Sequence, residues 1–188
     1  VLSNIRVATK YLERVAQEKT ALKIRTLQKL LSRGGAFGVI SAYTTVSKSE
    51  NQKRHGMLMA DLQKLGHRPT TLKGSWEGVT EKSLLIPRMR PEDLFKLGRK
   101  YEQDAVIYKS KDGVIGMYYT KGAPRAEVAV DPKGEAAVAI ANDPSLYSKA
   151  RGVSFQFEFL WGQEVPWNGS SPISRKQLRQ LVKEQLKF

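Results

Sequence analysis

The strongest constraint on how this chain can fold is the order in which its apolar periodicities follow one another between residues 37 and 122. Phe37 to Tyr43 is a largely apolar run with the length of a buried strand. From Ser49 the pattern turns helical. Glu50 sits in the first turn, Met57, Leu58, Leu62 and Leu65 form one apolar face, and Gly66 stops it. Thr70 to Gly74 and Ser83 to Ile86 read as two strands around a loop that carries Trp76, Glu77 and Glu81. Pro91 suits the first turn of another helix, Glu92 to Lys100, whose acidic residues face the positive end of its dipole. Ala105 to Lys109 and Val114 to Thr120 are strands joined by Lys111-Asp112-Gly113, a hairpin signal. The order β-α-β-β-α-β-β predicts an α+β fold, a mixed or antiparallel sheet with helices on one face.

Both flanks differ from this core. Ser3 or Asn4 can cap a helix reaching about Arg33, with Leu12, Val15, Leu22, Leu27 and Leu30 at helical spacing and Gly34-Gly35 as its stop. After the core, Val128 to Val130 and Ala136 to Ile140 are weaker strands, Val153 to Trp161 alternates like a stronger one, and Pro166 to Pro172 reads as a loop. Ser174 caps a closing helix with Leu178, Leu181, Val182 and Leu186 on one side. The expected organisation is therefore a basic amphipathic helix at 1–35, an α+β core at 36–173 and a basic helix at 174–188.

Charge separates these parts. The chain carries 32 Lys plus Arg against 18 Asp plus Glu, a net of +14. Residues 1–34 hold eight basic and two acidic side chains, and residues 174–188 hold five and one. The two ends thus carry +6 and +4, and the core is nearly balanced. Basic ends of this kind suit an acidic partner, either nucleic acid or an acidic protein surface. They lack the interleaved aromatics that stack bases, which favours electrostatic contact over base reading. The bland alternative is a solvated basic face. No apolar run approaches a membrane span, and Val1 to Arg6 does not open an apolar secretory segment, so no membrane association is expected. Cysteine is absent, and His55 and His67 are the two histidines, so neither a disulfide framework nor a metal site is expected.

Chemistry has to come from the core. Polar residues stand beside element ends there: Ser41 and Tyr43, Asn51 to His55, Trp76, Glu81, and Glu102-Gln103-Asp104. Each has a plain structural explanation. Glu81 fits a solvated loop acid, Gln103 a strand-start residue serving nearby backbone, Trp76 a core edge or subunit contact, and His55 a helix surface. Ser41 and Tyr43 alternate around Ala42, as on an exposed strand face. Neither a nucleophile triad, a phosphate-binding glycine loop nor a paired-carboxylate spacing is present. From the residues alone this is a site with one acid, one amide and an aromatic.

The order Ser41-Ala42, Asn51-x-x-Arg54-His55, Gly74-x-Trp76, Thr80-Glu81-Lys82-Ser83 and Glu102-Gln103-Asp104 resembles the bacteriophage S-adenosylmethionine-degrading enzymes. These were described as SAM hydrolases and are now regarded as SAM lyases. Val106 to Ser110 and Gly116 to Gly122 look like the same family, so the resemblance spans about residues 37–122. A broader set of bacterial proteins shares the Asn-x-x-Arg, Glu-x-Ser and Gln-x-Ala pattern. The resemblance implies cleavage of SAM to methylthioadenosine and homoserine lactone, with no cofactor and no metal. It puts the catalytic acid and amide on Glu81 and Gln103, with Trp76, Ser41, Tyr43 and Ser83 binding substrate. It also implies a homo-oligomer, a trimer with its site between subunits, working in the host cytoplasm. Where the family has a tyrosine after the Gly-x pair, this chain has Trp76, and the loop before Glu81 is shorter. An indole can take over a phenol's donor role and not its acceptor role. The alternative expectation is a non-catalytic, virion-associated basic protein of the same fold that binds nucleic acid or virion proteins.

Overall fold

A computed structural model of the chain describes residues 35–76, 79–129, 138–140, 147–150, 153–157, 165–167, 171–178 and 180. The expected N-terminal helix lies outside them, and so does most of the closing helix, of which residues 175–178 are helical. The core follows the expected order: β1 (Phe37–Ser41), α1 (Lys48–Lys64), β2 (Thr70–Trp76), β3 (Val79–Pro87), α2 (Pro91–Lys100), β4 (Ala105–Lys109) and β5 (Ile115–Tyr119). Then come β6 (Arg125–Ala129), β7 (Val138–Ile140), β8 (Tyr147–Ala150), β9 (Val153–Phe157) and β10 (Val165–Pro166). All ten strands join one sheet in the order β10-β6-β5-β4-β1-β3-β2-β8-β9-β7, and every pairing described is antiparallel. The fold is α+β, as the periodicities predict.

The sheet curls. β1 and β9 are four positions apart in the strand order, which a flat sheet would hold about 19 Å apart at ~4.8 Å per strand. Yet the Phe37 and Phe157 rings lie 6.4 Å apart, centroid to centroid. Twist accumulated over the strands folds one half of the sheet toward the other. This yields two cores. On one face α1 and α2 cover Ile40, Leu84, Ile86, Val106 and Tyr118. On the concave face Phe37, Val39, Leu85, Met117, Phe155 and Phe157 pack together, with no helix of the described residues over them.

Several boundaries differ from the sequence reading. Ser47, not Ser49, caps α1, its hydroxyl accepting from the Glu50 backbone N–H at 3.2 Å. Leu58 and Leu62 are fully buried, each contributing roughly 2 kcal/mol. Met57 and Leu65, assigned to the same apolar face, are 58% and 45% exposed, because the stripe facing the sheet is narrower and runs through Asn51, Leu58 and Leu62. Trp76 and Glu81 belong to strands rather than a loop, since β2 and β3 pair continuously from Thr70↔Leu85 to Trp76↔Val79. Tyr43, conversely, lies beyond the end of β1. Tyr147–Ala150 pairs between β2 and β9 and had no clear signature, and Val165–Pro166 pairs with β6 inside a segment read as loop.

Helix α2 sits close to the sheet because glycines make room for it. A Cβ on Gly38 would meet both Leu94 methyl carbons at 2.9 Å, and one on Gly98 would meet Val106 and Thr120 at 2.9 Å. Its C-terminal end is thereby pressed onto β4 and β5, next to the residues that follow.

Candidate active site

A cleft of about 330 Å³ opens where β1 and β5 end and β3 and β4 begin. Its floor is apolar, with Val39, Ile107, Met117 and Phe157 from the concave core. Its polar residues are unusual for their burial. Seven polar or charged side chains are buried among the described residues, and four of them, Ser41, Ser75, Ser83 and Gln103, line this cleft. Burying polar atoms costs free energy unless they find partners, so such a concentration marks a site better than the floor does.

Strand register assembles the acid and its hydroxyls. Ser41 pairs with Ser83, and Glu81 lies two residues before Ser83, so all three project from one face of β1 and β3. Burial pushes the Glu81 carboxyl up from its ordinary value, and the Ser41 and Ser83 hydroxyls beside it offset part of that rise. Ser41 has a single proton and donates it to the Lys82 carbonyl at 3.1 Å, so in this arrangement that proton is not directed at the carboxylate. Among the described residues no lysine or arginine forms an ion pair with Glu81. The cation on the cleft lining, Lys121, is held by Asp104 at 2.7 Å.

The amide is aimed by a helix terminus. After Tyr101 at the C-cap of α2, Glu102 takes a left-handed conformation with φ of 55°. The Gln103 N–H then bonds back to the Gly98 carbonyl at 2.9 Å and the Glu102 N–H to Arg99 at 3.1 Å, the Schellman pattern. Glycine usually occupies the position Glu102 holds, so the turn is kept at some strain. Gln103 leaves it pointing into the cleft. Its Nε2 donates to the Tyr43 carbonyl at 3.0 Å and to the Tyr101 carbonyl at 3.1 Å. Both amide hydrogens are thus committed, and Oε1 remains as an acceptor. The backbone-serving role and the site role of Gln103 are one arrangement.

The Asn-x-x-Arg pair of α1 holds the loops around this point. Asn51 accepts from the Thr44 N–H at 2.9 Å and donates to the Thr44 and Val46 carbonyls. Arg54 Nε donates to the Ala42 carbonyl at 2.9 Å, and its other nitrogens reach the Tyr101 carbonyl and Glu102. One helix turn therefore clamps the exit of β1 to the exit of α2, on both sides of Gln103. His55, next on the helix, is half-buried with its ring edge-on to Tyr43 at 6.2 Å. Burial, then the charge of Lys82, lowers its pKa.

Glu81, Gln103, Ser41, Tyr43 and Ser83 all line the cleft. Trp76 ends β2, pairing with Val79 two residues from Glu81, and its side chain lies outside what is described. Sequence reasoning missed Thr44, Ser75, Tyr119, Lys121, Ser148 and Gln156, which also line the cleft. Tyr119 and Lys121 stood within the segment carrying the family resemblance. Ser148 and Gln156 arrive through the curl of the sheet, which no local pattern encodes.

The model of the S-adenosylmethionine lyase family matches residues 38–152, more than half of the chain. The chain belongs to that family. The match opens in β1, ends after β8 and includes each of the six candidate site residues. A SAM-lyase-type function therefore applies to the fold as a whole, and the cleft is its candidate centre. A comparison with curated proteins gave no match.

Proposed function

We propose that this SAM lyase-family chain converts S-adenosylmethionine to methylthioadenosine and homoserine lactone, with Glu81 and Gln103 at the reacting centre. The observation that carries the reading is Glu81: a half-buried carboxylate facing a cleft, with no cationic partner among the described residues of a chain of net charge +14. Even a partly buried charge is costly to keep without a counter-ion. A cationic ligand, carrying a sulfonium and an ammonium, would supply the missing partner.

The reaction suits such a cleft. The substrate's own carboxylate oxygen bonds to its γ-carbon as the carbon–sulfur bond breaks, and the electron pair leaves on sulfur. The sulfonium and carboxylate charges disappear together and no proton moves. Excluding water and folding the methionyl chain back onto itself are then the main tasks. The apolar floor serves the first. For the second, Glu81 holds the ammonium or the sulfonium side, and Gln103 Oε1 accepts a hydrogen bond from the substrate. Lys121, kept at the rim by Asp104, leaves the reacting carboxylate unpaired and nucleophilic. Trp76 stacks on adenine or lies over the sulfonium as a cation–π partner. Ser41, Tyr43 and Ser83 complete the wall. The chain works as a homo-oligomer, a trimer by family resemblance.

The test is turnover in oxygen-labelled water. Intramolecular attack predicts unlabelled lactone, and label only on the carboxyl of homoserine formed from it later. Label on the γ-hydroxyl would mean that water is the nucleophile and would overturn the lyase assignment.

A further inference from the structure

One titratable ring beside the cleft has no part in the reaction above. His55 follows Arg54 on α1, half-buried, and its ring meets the Tyr43 ring edge-on, with 6.2 Å between centroids and 88° between planes. Tyr43 belongs to the cleft lining. Its backbone is fixed at both polar groups: the N–H donates to Ser41 Oγ at 3.0 Å, and the carbonyl accepts from Gln103 Nε2 at 3.0 Å. The ring is held by packing, and His55 is the aromatic neighbour that braces it. Edge-to-face pairs of this kind are favourable beyond the area they bury.

The brace suits a neutral His55. Its Nδ1 is buried and has no hydrogen-bond partner among the described residues. A neutral imidazole can keep one nitrogen as a bare lone pair, whereas a protonated one carries an N–H on both. Protonation in place would bury a donor and a positive charge without an acceptor. Among the described residues no carboxylate forms an ion pair with His55. Lys82 of β3 adds a positive charge, and on α1 itself Lys53 and Arg54 stand beside the ring, paired with Glu50 and Glu102. The Tyr43 phenol is the titratable group in contact with it. Burial, then Lys82, accordingly holds the His55 pKa below its ordinary 6.5. A proton gained below that range is solvated by moving the ring outward, away from Tyr43.

We propose that His55 is a positioning residue for substrate binding: as a neutral ring it braces Tyr43 in the cleft wall, and once protonated it turns toward water and lets Tyr43 go. The inference rests on the lyase reading. It adds a second acid-sensitive group, one that acts on binding through Tyr43 without touching the substrate.

The experiment measures KM and kcat for SAM against pH in the wild-type protein, His55→Phe and His55→Ala. His55→Phe keeps an edge-on ring and has no proton to gain, and the Glu81 limb common to both proteins cancels in their ratio. Wild-type kcat/KM relative to His55→Phe should be about one near neutral pH and fall to about a tenth at the acid end of the range in which the chain stays folded, roughly the loss of one ring contact. The fall should lie in KM, with kcat within about twofold. His55→Ala, which has no brace, should raise KM about tenfold at every pH. A ratio that does not change with pH, or a change confined to kcat, would overturn the proposal and leave the lyase reading intact. Should His55→Phe fail to fold, Tyr43→Leu gives the same test: its disadvantage in KM should shrink toward none as pH falls, and a constant disadvantage overturns the proposal. Folded wild-type protein that does not turn over SAM would overturn the lyase reading and this inference together.

Discussion

Replacing Arg54 by Met tests whether the site depends on the clamp built from α1. The substitution keeps an unbranched stem and removes the guanidinium. The side chain is 19% exposed, so its contacts are largely sheltered from water. The Ala42 and Tyr101 carbonyls both lose a charged donor. A sheltered acceptor left without a partner costs about 1–3 kcal/mol, toward the low end where water can reach it. The ion pair to Glu102 adds little, because that carboxylate is 68% exposed. The Tyr101 carbonyl keeps the Gln103 amide as a donor, so the expected loss comes mainly from the Ala42 carbonyl and is about 1–3 kcal/mol, a sizeable part of the roughly 5–15 kcal/mol that stabilises a domain. Urea unfolding should show it as a lower midpoint with an unchanged slope. Turnover should fall by about tenfold or more, since the same clamp holds the loops on either side of Gln103. Arg54→Lys should recover less than half of either loss, because one ammonium cannot satisfy both carbonyls in the guanidinium's fixed geometry. A loss below about 0.5 kcal/mol in Arg54→Met, with wild-type turnover, would refute the reasoning.

Other outcomes follow from the geometry of the site and from the charge of the ends. Glu102→Gly should raise stability by about 0.5–1 kcal/mol in thermal unfolding, because glycine removes the cost of the left-handed turn and the exposed ion pair it gives up is weak. Glu81 has a folded pKa above its ordinary 4.5, so the folded chain holds this proton to higher pH than the unfolded chain does. Its contribution to ligand-free stability is therefore greatest at low pH and falls as pH rises through that window, a fall that Glu81→Gln should abolish in pH-dependent melting. Turnover should run the other way, with an acid limb set by the same raised pKa. If the basic ends contact nucleic acid, DNA affinity should fall steeply with salt and flatten once residues 1–34 are removed; salt-independent affinity contradicts that contact.

What could be read from the chain alone depended on how local the cause was. The β-α-β-β-α-β-β order was legible because periodicity and glycine or proline stops are properties of short windows, and α2 began and ended where Pro91 and Lys100 placed it. The α1 stripe was drawn too wide because Met57 and Leu65 satisfy helical spacing without facing the sheet. Glu81 and Gln103 stood out only with the family pattern beside them. Their physical distinctions, a carboxylate without a counter-ion among the described residues and an amide with both hydrogens committed, depend on residues up to 60 positions away. The Asn51 and Arg54 clamp was visible as a motif, but its purpose required the partners. Ser148, Gln156 and Phe157 reach the cleft through the curl of ten strands, which emerges from accumulated twist rather than from any one segment.

The most direct test of the central claim is to incubate purified protein with S-adenosylmethionine, follow methylthioadenosine by chromatography, and repeat with Glu81→Gln. The account predicts methylthioadenosine from the wild-type chain and none above background from a variant that melts at least as high in its ligand-free form. Well-folded wild-type protein that makes none, or a Glu81→Gln variant with undiminished turnover, would contradict it.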